Sequence, residues 1–283
     1  MKVAISMRSV HEPLLRGDMG IIDFIKYAAS LAVDGVELDD AYLHGAGADF
    51  TEIQEVLRET GLEVSCYDID HQAEGLKGKA RQQALEKIKA ELVIAKSFGA
   101  RYVKIVGGAF DSNVTAGDVE VLILQLVDMV LPSLQGTDLT LVIENPDSVE
   151  FHSEHLARLL HQIDHPQVKA GFNMANAFVA GEDPQLALEY LKDQVVHVRI
   201  VDVRLAYRDE EPQSGSYVGC VVGLGLVPLE KLFAVLRAQG YQGWISLEFN
   251  GLEDSYFGTE ASLKNLRQYL EELQSDVLHP SEF

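Results

Sequence analysis

The sequence predicts a single-domain α/β fold, a closed (β/α)8 barrel. Strand-like and helix-like segments alternate from end to end, eight strands can be placed, and four junctions share one stop signal. The junctions read Leu31-Ala-Val-Asp-Gly-Val-Glu-Leu, Leu57-Arg-Glu-Thr-Gly-Leu-Glu-Val, Ala95-Lys-Ser-Phe-Gly-Ala-Arg-Tyr-Val and Leu236-Arg-Ala-Gln-Gly-Tyr-Gln-Gly-Trp. In each, a helical apolar stripe ends on glycine, which takes the left-handed backbone conformation past a helix without a Cβ clash, and a strand follows. The strands fall at 2–7, 35–38, 63–68, 101–106, 140–145, 169–173, 196–201 and 244–249. Helices fill the gaps and several carry start signals. Thr115 stands three residues before Asp118, Ser153 precedes Leu156, Leu159, Leu160 and Ile163 at helical spacing, and Asp183-Pro184 supplies a cap and a first-turn proline. The stripe of Leu229, Leu232, Phe233 and Leu236 makes a further helix, ended by Gly240. No Gly-x-Gly-x-x-Gly follows any strand, and Gly223-Leu-Gly225 stands alone, so an open nucleotide-binding sheet gains no support. The barrel is expected to span 1–274, with a polar tail at 275–283.

Composition narrows the function classes. The 283 residues carry 23 basic against 44 acidic side chains, a formal charge of −21 that repels nucleic acid and anionic membrane. Cys66 and Cys220 lie far apart, so neither a disulfide framework nor a thiolate metal site is expected. Met1 leads straight into the alternation Val3, Ile5, Met7, with no signal core and no membrane-spanning run, which predicts a cytoplasmic protein.

In a parallel barrel, alternate side chains face the helices and the lumen. With Val3, Ile5, Val36, Leu38, Val64, Cys66, Val103, Ile105, Leu141, Ile143, Val198, Ile200, Ile245 and Leu247 facing the helices, the inward set is Ser6, Arg8, Glu37, Asp39, Ser65, Tyr67, Lys104, Glu144, His197, Arg199, Ser246 and Glu248. Asn173 closes the sixth strand. Arg8, Lys104 and Arg199 then oppose Glu37, Asp39, Glu144 and Glu248, an arrangement that is costly unless the charges pair. A Glu37–Lys104 ion pair bracing the barrel is the structural account of part of it. Glu144 and Glu248 end their strands at the edge where barrel enzymes do chemistry, which makes them the candidates for proton transfer. His197, one layer lower, reads as a structural histidine.

Gly35-Val-Glu-Leu38, Glu144-Asn145, Gly171-Phe-Asn-Met-Ala-Asn176 with Gly181-Glu-Asp-Pro184, His197-Val-Arg-Ile-Val-Asp202 and Gly240-Tyr-Gln-Gly-Trp-Ile-Ser-Leu-Glu248 occur in that order on successive strands. In these the chain resembles the xylose isomerase-like TIM-barrel superfamily, which contains sugar isomerases and epimerases, hydroxypyruvate isomerase, inosose dehydratase and the endonuclease IV repair enzymes. The resemblance implies one divalent cation (Mn, Mg, Co or Zn) held by Glu, Asp, His and Glu from strands five to eight. Carried over by position, those ligands are Glu144, Asn173, Arg199 and Glu248, two of them substituted. Guanidinium has five donors and no acceptor and does not deprotonate in proteins, so Arg199 cannot coordinate a cation. Two glutamates around one arginine carry the same single net negative charge as the usual shell around a divalent ion. The expectation is therefore a metal-free site with no cofactor, in which Arg199 stands in the cation's place and forks between Glu144 and Glu248.

The resemblance then implies a sugar or polyol isomerase or epimerase that moves a proton through an enediolate, with Arg199 and Lys104 as the electrophilic groups. The alternative is a catalytically inactive protein that binds a sugar or sugar acid. Asn173, Asn176, Asn145, Arg8, Glu37, Tyr67, Asp202 and Arg204 complete the expected substrate-binding set, and the loops at 39–50, 70–78 and 204–222 shape the pocket. A small carbohydrate or sugar acid is the expected partner, with no nucleic acid or membrane, and a homo-oligomer is compatible with the sequence. An abasic-site endonuclease is disfavoured by the charge and by the lack of histidines at the rim.

Overall fold

Apolar side chains on one face of each segment bind eight strands to a ring of helices, and the polar residues between them are turned into the space that the strands enclose. A computed structural model describes residues 1–44, 49–70, 78–106, 115–148, 150–213 and 215–278 of the chain. The strands are β1 (Lys2–Ser6), β2 (Gly35–Asp39), β3 (Glu63–Asp70), β4 (Tyr102–Val106), β5 (Thr140–Glu144), β6 (Val168–Asn173), β7 (Val195–Ile200), β8 (Asp202–Leu205), β9 (Tyr217–Cys220) and β10 (Trp244–Leu247). Eight of them close a barrel in the order β1-β10-β7-β6-β5-β4-β3-β2, every pairing parallel. The barrel is the expected (β/α)8 fold, and each strand lies within two residues of its expected limits.

The helices are α1 (His11–Arg16), α2 (Ile21–Ser30), α3 (Asp40–Leu43), α4 (Phe50–Thr60), α5 (Gly78–Ser97), α6 (Ala116–Leu134), α7 (Ser153–Ile163), α8 (Met174–Val179), α9 (Pro184–Leu191), α10 (Leu229–Ala238) and α11 (Ser255–Leu278). Their inner faces, through Phe24, Ile25, Ile88, Leu156, Leu188 and Phe233, are buried against the strands. Thr115 and Asp118 close the expected capping box on α6, and Asp183 caps α9 ahead of Pro184. Ser153 is the first helical residue of α7 and not its cap; His152 takes that place, and Glu182 accepts hydrogen bonds from the Ser153 N–H and hydroxyl. α11 continues to Leu278, past the expected boundary at 274. Residues 279–283, together with 45–48, 71–77 and 214 of the expected pocket loops, lie outside the described residues. Among the described residues no helix is long and apolar enough to cross a membrane.

Two irregularities set which side chains enter the lumen. The β2–β3 register passes from Val36 opposite Val64 to Glu37 opposite Cys66, so Ser65 is an extra residue, and its hydroxyl donates to the Val36 carbonyl at 3.1 Å. The extra residue reverses the facing of everything after it. Cys66 and Asp68 turn inward beside Glu37 and Lys104, while Tyr67 turns out to the helices and donates its hydroxyl to Glu91 at 2.7 Å. The inward placement expected for Tyr67 and the outward one expected for Cys66 are corrected accordingly. A second bulge at Val196 sets Gly171 opposite His197 and Asn173 opposite Arg199.

Gly35 is required at the foot of the barrel. A Cβ there would stand 2.4 Å from the Glu63 carbonyl oxygen and 2.8 Å from the Trp244 ring. Gly35→Ala is expected to lower the unfolding free energy by about 1–3 kcal/mol, the range for overpacking a filled core. Urea denaturation measures it, and an unchanged midpoint would contradict the close approach.

Candidate functional site

The strand ends bring charged groups into the lumen in two tiers. Glu37, Asp68, Lys104 and His197 form the lower one, all buried. Glu144 and Glu248 form the upper one at the carboxyl ends of their strands, 15% and 10% exposed, with Asp39 and Arg8 beside them at the mouth. Arg199 joins the tiers. Its Nη2 donates to Glu37 Oε1 and, at 2.7 Å, to Asp68 Oδ2. Its Nη1 lies 3.2 Å from Glu248 Oε2 and 3.7 Å from Glu144 Oε1. The guanidinium thus stands between Glu144 and Glu248 and reaches two further carboxylates below them. Lys104 Nζ serves three of the same group, at 3.1 Å from Asp68, 3.2 Å from Glu144 and 3.3 Å from Glu37. Arg8 closes the mouth with an ion pair to Asp39 at 2.6 Å.

The charges do not cancel. Five carboxylates (Glu37, Asp39, Asp68, Glu144, Glu248) face three cations (Arg8, Lys104, Arg199). An excess of negative charge in a buried volume favours uptake of a proton. Burial pushes Asp68 up to about 7, against the pull of Lys104 and with the help of Asp39. Burial raises Asp39 as well, opposed by Arg8. Burial works against the charge of Lys104, yet Asp68 and Glu144 hold it above its ordinary value. Arg199 is lowered to about 10 by burial, with Glu248 opposing, and stays charged at neutral pH. His197 falls to about 3 through burial and the nearby Lys104, so it is a neutral, structural imidazole 3.5 Å from Glu37.

The three asparagines of the expected set serve the backbone. Asn145 Oδ1 accepts from Asn173 N–H at 2.7 Å and its Nδ2 donates to the Asn173 carbonyl, which ties β5 to β6. Asn176 Nδ2 donates to the Asn145 carbonyl at 2.8 Å. Asn173 Oδ1 caps α8, accepting from Ala175 N–H at 3.0 Å and Asn176 N–H at 3.3 Å. Of the four positions that the resemblance assigns to a cation, Arg199 offers only donors and Asn173 spends its amide oxygen on the helix. Glu144 and Glu248 remain, with a guanidinium between them.

Asp202 and Arg204 lie apart from the lumen cluster. Asp202 accepts hydrogen bonds from the N–H groups of Val203, Gly223, Gly225 and Val227 and so pins the loop after the β8–β9 hairpin. This accounts for Gly225, where a Cβ would meet Asp202 Oδ1. Arg204 forms a two-pronged ion pair with Glu210 at 2.7 and 2.8 Å and covers the Tyr207 ring. Sequence reasoning missed Asp68. Its signal was a change of phase: Val64 sets the apolar parity at the start of the strand, whereas Tyr67 and Ile69 carry it at the end, with Asp68 and Asp70 between.

Because Asp68 holds its proton more tightly in the folded protein than the ordinary 3.8, it stabilises the fold fully below pH 3.8, less as pH rises, and not at all above about 7. Asp68→Asn is expected to flatten the fall of unfolding free energy across that window. Denaturation series at several pH values measure it, and a wild-type slope in the variant would contradict the assignment.

A profile of the family described as xylose isomerase-like TIM barrel matches residues 25–273. An inosose dehydratase of Lacticaseibacillus casei is 27% identical over 101 residues, which take in 32% of this chain and 33% of that protein. The match thus spans about a third of the relative's length. The solved structure of an IolI protein with a bound zinc atom aligns with a TM-score of 0.75 at 12% identity, over 98% of this chain and 99% of its own. A D-psicose 3-epimerase, solved in the presence of D-fructose, aligns with a TM-score of 0.74 at 13% identity, over 96% and 99%.

Proposed function

Since the chain belongs to the xylose isomerase-like TIM-barrel family, we propose that it is a sugar or polyol isomerase or epimerase whose site works without a metal, Arg199 standing in the cation's place. The observation that carries this reading is the guanidinium seated between Glu144 and Glu248 at the carboxyl edge of the barrel. The substrate is a small carbohydrate with a carbonyl group, entering from the mouth that Arg8 and Asp39 border.

One glutamate removes the proton from the carbon beside the carbonyl, and the electron pair of that C–H bond moves into the carbonyl to give an enediolate. Arg199 Nη1, fixed between the two carboxylates, donates to the oxygen on which charge develops, and its position is set before the substrate arrives. The other glutamate, entering the cycle as the acid, returns a proton to carbon. Lys104 holds Glu144 from below by a hydrogen bond to Oε2 at 3.2 Å. Glu248 Oε2 faces Arg199 Nη1 at 3.2 Å. The same pairing supports the alternative of a binding protein without turnover, because every lumen carboxylate already has a cationic neighbour.

Ketoses, aldoses and inososes incubated with the protein in D2O distinguish the two. Deuterium at the carbon beside the carbonyl is expected, lost by about a hundredfold or more in Glu144→Gln and in Glu248→Gln, the scale of a removed general acid or base. Thermal stabilisation by a sugar with no exchange would establish the binding protein instead.

A further inference from the structure

Away from the lumen, α3 and α5 bring Asp40, His44 and Glu91 together, with one potential ligand atom from each within 4.8 Å of the other two. Asp40 opens α3 directly after β2, and His44 follows four positions later at its end, a spacing that sets both side chains on one helix face. Glu91 meets them from α5. The Asp40 and Glu91 side chains are 1% and 4% exposed, whereas that of His44 is 48% exposed.

Each carboxylate is oriented from behind. Asp70 N–H donates to Asp40 Oδ1 at 2.6 Å, and the Tyr67 hydroxyl donates to Glu91 Oε2 at 2.7 Å. This leaves Asp40 Oδ2 and Glu91 Oε1 for the cluster. Glu91 Oε1 lies 2.6 Å from His44 Nε2. Asp40 Oδ2 is buried and accepts no hydrogen bond. Lys87 Nζ stands 2.9 Å from it as an ion-pair partner, while its hydrogen bond goes to the Asp70 carbonyl at 2.6 Å. Two buried carboxylates on one face are costly without a cation, and Lys87, half exposed on a flexible stem, gives its charge without a bond to Oδ2.

We propose that Asp40, His44 and Glu91 bind one Zn²⁺ ion, separate from the barrel lumen. Two carboxylate oxygens and one imidazole nitrogen make a three-ligand set for zinc, and the exposed flank of His44 leaves a fourth position to water. The hydrogen bonds from Tyr67 and Asp70 are the outer support that such ligands use to hold their orientation. On binding, the proton between His44 Nε2 and Glu91 Oε1 is released to solvent, so that both atoms face the ion, and Lys87 turns to solvent. The ion then clasps α3 to α5 beside the ends of β2 and β3.

Calorimetric titration of Zn²⁺ into the chelator-treated full chain, with Co²⁺ absorption bands as a second readout, tests the site. One equivalent is expected. His44→Ala, at a half-exposed position that tolerates the change, should weaken binding by about tenfold or more, since even outer-shell losses reach that scale. Lys87→Met should tighten it by removing a competing cation, which a merely structural Asp40–Lys87 pair would not do. Glu144→Gln and Glu248→Gln should leave the titration unchanged. Absence of one-equivalent binding, binding indifferent to His44→Ala, or binding lost in the two lumen variants would each overturn the proposal.

Discussion

One guanidinium is shared among four carboxylates inside the lumen of this barrel. Arg199 crosses from the lower tier, where it binds Glu37 and Asp68, to the upper, where it stands between Glu144 and Glu248. A planar fork is suited to this because its donors point in fixed, divergent directions. An ammonium group or a spherical ion lacks that directionality. Removing a buried charge from such a cluster strands its partners, at a cost of about 3–5 kcal/mol for a single pair. The cluster is therefore under strong structural constraint whatever chemistry it supports.

The same constraint shapes the chemistry. Five acids against three bases leave the lumen short of positive charge, and burial raises Asp68 to about 7, so that this carboxyl group takes up a proton as pH falls through that value. Lys104 is held charged by Asp68 and Glu144 despite its burial. What remains open to a small molecule is the upper face of Glu144 and Glu248, with Arg8 beside them. Three asparagines and Asp202 lie close in sequence to that face, but they are spent on tying strands, helix α8 and the hairpin loop together.

Most of the barrel was legible because parallel strands between glycine-stopped helices repeat a simple pattern, and its charged lumen was legible because the strands alternate. Arg8, Glu37, Lys104, Glu144, Arg199 and Glu248 all follow from that alternation. Asp68 and Tyr67 did not, since one extra residue at Ser65 exchanges the two faces of β3. Bulges of this kind are set by the fit of neighbouring strands, which a single strand's sequence states only as a change of phase. The β8–β9 hairpin, where no strands were expected, is short and is held by Asp202 and by the Arg204–Glu210 pair. The backbone role of the three asparagines was not legible either, because amides at strand ends serve capping and ligand recognition equally well and the capping partners are set by the fold.

The most direct measurement is a high-resolution crystal structure of the protein grown with millimolar Mn²⁺, with anomalous scattering recorded between Glu144 and Glu248. Planar guanidinium density there, bridging both carboxylates with no anomalous peak, is the expected result. An anomalous peak coordinated by the two glutamates, with the Arg199 side chain displaced from between them, would contradict it.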